Sequence, residues 1–225
     1  MEQFERLIPL LGEGGLEKLK SSHVAVFGIG GVGSYVVEAL ARSGVGALSI
    51  IDGDNVSKSN INRQLVALHS TIGAPKVEVA KQRLLDINPN IKMHTYNLFV
   101  NEDTIDTIDF NFFDYVIDAI DNTTSKILII KKAKDNNIPI ISSMGAGNKK
   151  DPLKFKIADI SKTNTCPLAR VIRKELTKSN VENVKVLFST ESPIIRSGET
   201  IYSLSYVPGV AGLLIAGETI FDLIK

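Results

Sequence analysis

The feature that most constrains this chain is the stretch HVAVFGIGGVGS at residues 23–34. Its apolar run at 24–27 predicts a short buried strand, and a helical pattern begins directly after the glycines. A strand that turns on glycines into a helix lets backbone N–H groups approach a phosphate at the positive end of the helix dipole. The glycines alone do not distinguish between nucleotides, because many functions share such a loop. We therefore expect a nucleotide phosphate to bind beside Gly28, Gly30, Gly31 and Gly33.

Short apolar runs alternate with amphipathic helical segments along most of the chain, which is typical of a parallel α/β sheet. After the first strand, we predict four more strands at 47–52, 91–97, 112–121 and 138–143. The predicted helices lie at 34–43, 73–87, 102–108, 125–136 and 167–178. An N-terminal helical arm over residues 1–22 is expected to break at Gly14 and Gly15. The predicted fold class is α/β, with a Rossmann-like, mostly parallel sheet, helices on both faces and a C-terminal α/β extension.

Composition limits the class of protein further. A net charge of +1 gives no general attraction to nucleic acid or to membranes. The only cysteine, Cys166, excludes an internal disulfide and a zinc site made of two Cys-x-x-Cys pairs, and it fits a cytoplasmic location. The apolar run 206–221 contains Glu218 and is shorter than the about 20 residues that span a bilayer. We expect it to form a buried or dimer-interface helix, with no insertion into a membrane.

A polar loop follows the second predicted strand. Asp52 lies 19 positions after Gly33, close to the spacing of about 20 residues at which a carboxylate meets the ribose hydroxyls of a nucleotide. Up to this residue, an NAD-dependent dehydrogenase fits the pattern. Arg63 then offers a planar fork for phosphate oxygens, which favours a triphosphate. A solvated, turn-rich loop remains the alternative. The side chains of this loop that can form hydrogen bonds include Asp52, Asp54, Asn60, Arg63 and Gln64.

Two further loops are expected at the same edge of the sheet. Lys76 begins a helix, where a lysine opposes the helix dipole unless it serves an anion, so it is a candidate phosphate ligand. Asp121 and Asn122 follow the fourth predicted strand. The carboxylate of Asp121 is a candidate ligand for Mg²⁺ bridging ATP phosphates, because Mg²⁺ prefers oxygen ligands. Asp118 has a simpler explanation, since an aspartate there can cap the next helix.

These motifs occur together and in order: GIGGVG, Asp52 with Asp54, SNINRQ, GAPK and DAIDN. With them, residues 1–147 resemble the adenylating superfamily that includes ubiquitin-activating enzymes and the bacterial ThiF-type and MoeB-type activators of sulfur-carrier proteins. The resemblance implies that the chain binds ATP and Mg²⁺, and that a substrate carboxylate attacks the α-phosphate and expels pyrophosphate. It places Asp52 at the ribose.

The same resemblance implies roles for the charged residues. Arg63, Gln64 and Lys76 would hold the phosphates, and Asp121 the magnesium ion. Arg6 matches an arm arginine that reaches the ATP of the neighbouring subunit, which implies a homodimer. The implied catalytic residues are Arg6, Arg63, Lys76 and Asp121. The implied ATP contacts are Gly28, Gly30, Gly31, Gly33, Asp52, Asp54, Asn60, Arg63, Gln64, Lys76 and Asn122.

The second half of the chain narrows the resemblance. The segments 159–178, 184–193 and 203–220 resemble the branch that dehydrates threonylcarbamoyladenosine in tRNA. This implies that the threonine carboxylate is adenylated, that the ureido nitrogen then attacks the acyl-adenylate, and that AMP leaves as the ring closes. In that branch an aspartate often stands where this chain has Cys166, so we expect no obligatory nucleophile there.

The predicted domain is a single ThiF-type adenylating domain over 1–225, with a nucleotide-binding core at 1–147 and a substrate or dimer segment at 148–225. A basic cluster on helix 167–178 suits a phosphodiester backbone, and a solvated amphipathic helix explains it equally well. It consists of Arg170, Arg173 and Lys174 on the helix, with Lys149, Lys150, Lys154 and Lys156 shortly before it.

Three other functions stay open. The first is adenylation of the C-terminal glycine of a ubiquitin-like sulfur carrier. The second is a nucleotide-binding scaffold in sulfur traffic, and the third is an NAD-dependent dehydrogenase. A partnership with a cysteine desulfurase or a sulfur-acceptor system is also left open.

Overall fold

The computed structural model describes residues 2–193 and 201–225. Seven strands form one sheet within these residues: β1 His23–Phe27, β2 Ala47–Ile51, β3 Lys92–Tyr96, β4 Tyr115–Asp118, β5 Ile140–Ser143, β6 Phe155–Asp159 and β7 Lys185–Ser189. The strand order is β3-β2-β1-β4-β5-β7-β6. All neighbours are parallel except β6, which pairs antiparallel with β7 at the edge of the sheet. The predicted mostly parallel α/β fold is therefore confirmed.

Helices cover both faces of this sheet. Their bounds are α1 Ile8–Ser21, α2 Gly33–Arg42, α3 Lys76–Ile87, α4 Thr123–Asp135, α5 Pro167–Lys178 and α6 Tyr206–Leu223. The helices α1, α2, α3 and α6 pack on one face, and α4 and α5 pack on the other. In β1, Val24 and Val26 face the first group, whereas Ala25 and Phe27 face the second. Since both faces are covered, the strand is apolar throughout, as buried parallel strands usually are.

The structure corrects two local predictions. The N-terminal arm bends at Gly12, which has a φ of 73°, whereas Gly14 and Gly15 lie inside α1. Glycine adopts a positive φ at little steric cost, and the spacing of the glycines does not reveal which of them does so. The second correction concerns the strands β6 and β7, which were predicted only as part of a C-terminal α/β extension and not as separate elements. The sequence of β6, FKIAD, alternates apolar and polar residues over its first three positions only, which is too short a pattern to indicate a strand.

Close packing of α6 on α2 accounts for much of the apolar C-terminal run. A Cβ at Gly212 would clash with the carbonyl oxygen of Val32, and one at Gly209 would lie 3.1 Å from the ring of Tyr35. In the part of the chain that the structure describes, α6 is the one helix long and apolar enough to cross a membrane. Half of it is buried inside the protein. The buried helix predicted here is therefore present.

A buried ion pair and its hydrogen bonds connect β4, β5 and α4. The ammonium of Lys126 lies 2.7 Å from the carboxylate of Asp118, and both side chains are fully buried. Lys126 also donates a hydrogen bond of 2.9 Å to the carbonyl of Ser143, and the Ser142 hydroxyl donates to Asp118 over 2.5 Å. The suggestion that Asp118 caps α4 is wrong, because Asn122 accepts a hydrogen bond from the Ser125 amide and caps that helix.

We predict that Lys126→Met lowers the free energy of unfolding by about 3–5 kcal/mol, because it leaves the carboxylate of Asp118 buried without its counter-charge. Urea denaturation followed by circular dichroism measures this change. Lys132→Met is the matched control on the same helix, since Lys132 pairs with the exposed carboxylate of Asp106. It should change stability by less than about 1 kcal/mol. Equal effects of the two substitutions would contradict the prediction.

Candidate active site

A large cavity opens at the carboxyl ends of the parallel strands. It lies where the strand order reverses between β1 and β4, which is the usual ligand position in open α/β sheets. Its volume is about 1810 Å³, which exceeds the roughly 300–1,000 Å³ of a typical small-molecule pocket. The loops after β1, β2 and β4 line one half, which we call the nucleotide half. Segments 143–149, 165–168 and 192–193 line the other, which we call the acceptor half, with Arg170 and Ile201.

The glycines of this loop have two different roles, which are contact with the cavity and close backbone packing. Gly28, Gly30 and Gly31 line the cavity. Gly28 has a φ of 88°, and a Cβ there would lie 2.8 Å from the carbonyl oxygen of Ala119. Gly33 was predicted as a nucleotide contact, but a Cβ at this position would clash with the Gly28 carbonyl. The absent side chain of Gly33 thus lets α2 begin against β1.

The backbone donors available to a ligand lie in the glycine turn that leads into α2. The Ser34 and Tyr35 amides, in the first turn of the helix, already donate to the carbonyls of Gly30 and Val32, and Val32 provides no side-chain cap. The first N–H groups of a helix have no partner within the helix, and they carry the positive end of its dipole. The arrangement is therefore suited to a phosphate, as the sequence predicts.

Asp52 holds the glycine loop in place. One carboxylate oxygen accepts a hydrogen bond of 2.6 Å from the Ile29 amide, and the other accepts one of 2.9 Å from the Asp54 amide. Burial raises the pKa of Asp52, while the charge of Lys76 and the two backbone amides act in the opposite direction. A carboxylate offers about four acceptor positions. Asp52 can therefore receive ribose hydroxyls while it holds the loop.

Lys76 carries the buried positive charge of the nucleotide half. Its ammonium lies 2.7 Å from Asp54 and 3.8 Å from Asp52, and its side chain is 5% exposed. The side chain of Asp54 is 53% exposed, so it can turn into solvent at little cost. A phosphate that displaced Asp54 would take over its ion pair with Lys76. The lysine at the start of α3 does face an anion here, and that anion is a carboxylate.

Arg63 and Gln64 come from the loop between β2 and α3. The Arg63 Nη1 donates to the carbonyl of Ser59 and to the side chain of Asn62, both over 2.8 Å. This leaves other N–H groups of the guanidinium fork for a ligand. Gln64 is buried, and its Oε1 is a buried side-chain atom without a hydrogen-bond partner within residues 2–193 and 201–225. Since such an unpaired group costs about 1–3 kcal/mol, we expect it to meet a donor from a ligand or a water.

The loop after β4 contributes a free carboxylate. Asp121 is exposed, lines the cavity and has no hydrogen-bond or ion-pair partner in the described ranges. One carboxylate together with phosphate oxygens is a common ligand set for Mg²⁺, so this position fits the ion. The amide oxygens of Asn60 and Asn122 instead hold their own loops, through the Ser57 and Ser125 amides. Both asparagines still line the cavity.

Arg6 lies away from the cavity of its own chain. The ring of Phe4 packs near Gly44, just beyond the C-terminal end of α2, whereas the glycine loop precedes that helix. The ten residues of α2 span about 15 Å. Arg6 is exposed and does not line the cavity. Arg6 therefore does not contribute to the cavity of its own chain.

The three basic residues predicted on α5 have different surroundings. Arg170 is exposed and lies at the rim of the cavity, and Lys174 is exposed one turn further along. Arg173 points inward, where its Nη1 donates to the hydroxyl and the carbonyl of Thr163 over 2.6 and 2.9 Å. Arg173 therefore fastens α5 to the preceding turn.

Lys149 is a cavity residue that was not predicted as one. From the sequence it belongs only to a basic cluster, but the residue is 4% exposed and lines the acceptor half. Its ammonium donates a hydrogen bond of 2.6 Å to the backbone carbonyl of Glu191. Burial lowers the pKa of Lys149, and Cys166 and Glu191 act against that shift. Its place in the loop after β5 was the available signal, because such loops converge at one edge.

Known proteins are similar to this chain over its whole length, in sequence and in fold. The sequence profile of the ThiF family matches residues 4–224. The tRNA threonylcarbamoyladenosine dehydratase of Bacillus subtilis (strain 168) is 45% identical over 243 aligned positions, covering 100% of this chain and 96% of that protein. The crystal structure of the Escherichia coli tRNA N6-threonylcarbamoyladenosine dehydratase in complex with AMP matches with a TM-score of 0.93 at 33% identity, and the complex with ATP with 0.91 at 32%. Each covers 99% of this chain and 94% of the other.

Two alanine substitutions should separate the two tasks of the glycine loop. We predict that Gly33→Ala lowers the free energy of unfolding by about 1–3 kcal/mol, because its methyl group meets a backbone carbonyl that cannot move aside. For Gly30→Ala, the free energy of unfolding should lie within about 1 kcal/mol of the parent's, since the atom nearest to its Cβ is 3.8 Å away on the side chain of Gln64. It should weaken ATP binding instead. Thermal unfolding and ATP titration test both, and a destabilised Gly30→Ala would contradict the division.

Proposed function

This chain belongs to the ThiF family, and on that basis we propose that it is an ATP-dependent enzyme that cyclises threonylcarbamoyladenosine in tRNA. The observation that carries the proposal is the continuity of the cavity, in which a nucleotide half and an acceptor half form one space. An acyl-adenylate can thus form and be consumed without leaving the site. The activity named for the relatives, and the ATP and AMP complexes of the E. coli protein, support the same reaction.

The proposed reaction has two steps. An oxygen of the threonine carboxylate attacks the α-phosphorus of ATP, the bond to the β-phosphate breaks, and pyrophosphate leaves. The ureido nitrogen of the same group then attacks the acyl carbon and loses its proton, while AMP leaves with the oxygen that it had gained. The net change is ring closure with loss of one water, driven by cleavage of ATP to AMP and pyrophosphate.

The residues of the nucleotide half fit these charges. We assign Asp52 to the ribose hydroxyls, and Arg63, Gln64 and Lys76 to the phosphates. Negative charge grows on the leaving pyrophosphate, and fixed cations stabilise it without reorganisation. Asp121 is the proposed ligand of Mg²⁺, which when bound supplies further positive charge at the phosphates.

The proposed enzyme is a cytoplasmic homodimer in which Arg6 completes the neighbouring site. Two features support this. Arg6 is remote from its own cavity, and α6 presents Leu213, Leu214 and Phe221 to solvent at 40–56% exposure. Apolar side chains on one helix are typical of a subunit contact.

The segment 148–225 is proposed to receive the tRNA. Arg170 at the rim and Lys174 beyond it would contact the phosphodiester backbone, and Arg173 would act by holding α5 in position. Since each phosphate contact releases counter-ions, this binding should weaken as salt rises. The proposed cyclisation requires no sulfur, so we assign no step to a cysteine desulfurase or a sulfur acceptor, nor to Cys166.

Adenylation of a sulfur carrier would use the same first step, so the acceptor decides between the two functions. We predict that tRNA bearing threonylcarbamoyladenosine stimulates exchange of labelled pyrophosphate into ATP, whereas ubiquitin-like carriers with C-terminal glycine do not. Asp121→Ala should lower this exchange by at least about 100-fold. Asp135→Ala, which removes an exposed carboxylate at the far end of α4, is the matched control. Exchange that responds only to a carrier would refute the proposal.

A mixing experiment tests the shared site. We predict that Arg6→Ala and Asp121→Ala are each inactive as homodimers, and that dissociating and reassociating the two together restores part of the activity. In the mixed dimer, one of the two sites contains both native residues. No recovery in samples shown by native mass spectrometry to contain mixed dimers would place Arg6 outside the neighbouring site.

A further inference from the structure

We propose that Lys149 binds the carboxylate of the incoming substrate before it is adenylated. The inference rests on the proposed function and adds a residue for which the sequence motifs give no role. It also assigns the acceptor half of the cavity to an anionic group that enters opposite the ATP phosphates.

The first reason is the surplus of buried positive charge. Lys149 is 4% exposed, and none of the ion pairs within residues 2–193 and 201–225 includes its ammonium. The carboxylate of Glu191 acts on Lys149 only through its charge and without an ion pair, since it accepts hydrogen bonds from the Lys150 and Asp151 amides over 3.0–3.2 Å. The ammonium has three donors, and one of them is used by the Glu191 carbonyl. A buried cation normally has a paired anion, so a ligand is expected to supply it.

The second reason is position. Lys149 follows β5, and the first turn of α5 lies against the same loop, where Cys166 Sγ is 3.7 Å from the Cβ position of Gly145. The nucleotide half already contains Lys76 and Arg63 for the phosphates. A second cation on the acceptor side is therefore available for a second anion. Of the proposed substrates, the threonine carboxylate is the anion that must enter this side and meet the α-phosphate.

The third reason is chemical. A carboxylate has two oxygens, so one can accept from Lys149 while the other attacks phosphorus. Adenylation removes the negative charge from this group and weakens its bond to the ammonium. The acyl carbon is then free to turn toward the ureido nitrogen. Arg170 at the rim would meet the tRNA backbone during the same approach.

The alternative is that Lys149 only supports the chain at Glu191, through its hydrogen bond to that carbonyl. The two roles differ in their effect on substrate discrimination. A structural lysine would affect binding of all tRNAs alike, whereas a carboxylate-binding lysine affects only the tRNA that carries the carboxylate.

The test compares two tRNAs that differ only in the threonylcarbamoyl group, measured by fluorescence anisotropy without ATP. We expect the parent protein to bind the modified tRNA about tenfold more tightly or more, which is the order of one charge-assisted hydrogen bond. Lys149→Met should bind both tRNAs equally, and Lys149→Arg should keep most of the difference. Lys150→Met, which removes the exposed neighbouring lysine, should leave the ratio unchanged.

If Lys149→Met still binds the modified tRNA more tightly than the unmodified one, the inference is overturned. It is also overturned if the parent protein binds both tRNAs equally. ATP titration of each variant shows that the nucleotide half is intact. If the methionine variant fails to fold, Lys149→Gln decides the question, because its amide can still donate to the Glu191 carbonyl but has no charge, and it should lose the difference between the two tRNAs. If the proposed function itself were wrong, the parent protein would show no pyrophosphate exchange with modified tRNA. If the parent protein shows pyrophosphate exchange and Lys149→Met keeps the affinity ratio of the parent, the role of Lys149 is rejected and the proposed function is not.

Discussion

The site depends on a close backbone contact at the switch point between β1 and β4. Gly33 has no side chain, so α2 can begin against the Gly28 carbonyl, and Gly28 in turn lies against Ala119 in the loop after β4. The carboxylate of Asp52 fastens the loop after β2 to the same turn through the Ile29 amide. Three loops that are distant in sequence are thus held together by backbone packing and by the side chain of Asp52. Other side chains of these loops, such as that of Asp121, are left for the ligand.

A second anchor supports the acceptor half. The pair formed by Asp118 and Lys126 joins the last residue of β4 to α4, and Lys126 also bonds to the Ser143 carbonyl at the end of β5. The loop that begins after Ser143 leads to Lys149. The cavity is therefore supported by a close backbone contact on one side and by a buried ion pair on the other. Groups that must meet within a fraction of an ångström need such support from rigid elements.

Much of this arrangement could be predicted from sequence, because it is encoded locally. The glycine loop and the acid at Asp52 follow from spacing, and the first five strands follow from short apolar runs. The directions of long side chains could not be predicted in the same way. Arg173 and Lys149 occur in a basic stretch typical of a solvated surface, yet one bonds to Thr163 and the other is buried in the cavity. Tertiary packing decides such directions, and residue type alone does not contain that information. The roles of the individual site residues accordingly remain predictions.

The two sides of α6 have different surroundings. Pro208 in its first turn would lie 3.2 Å from a Cβ at Gly31, and Gly212 lies against Val32, so one side of α6 supports the phosphate-binding turn. Its other side presents apolar residues such as Phe221 to solvent. In the proposed homodimer, subunit association and nucleotide binding would therefore act on one rigid helix. If ATP binds the dimer more tightly than the monomer, ATP raises the population of the dimer by mass action. The apparent affinity for ATP then increases with protein concentration.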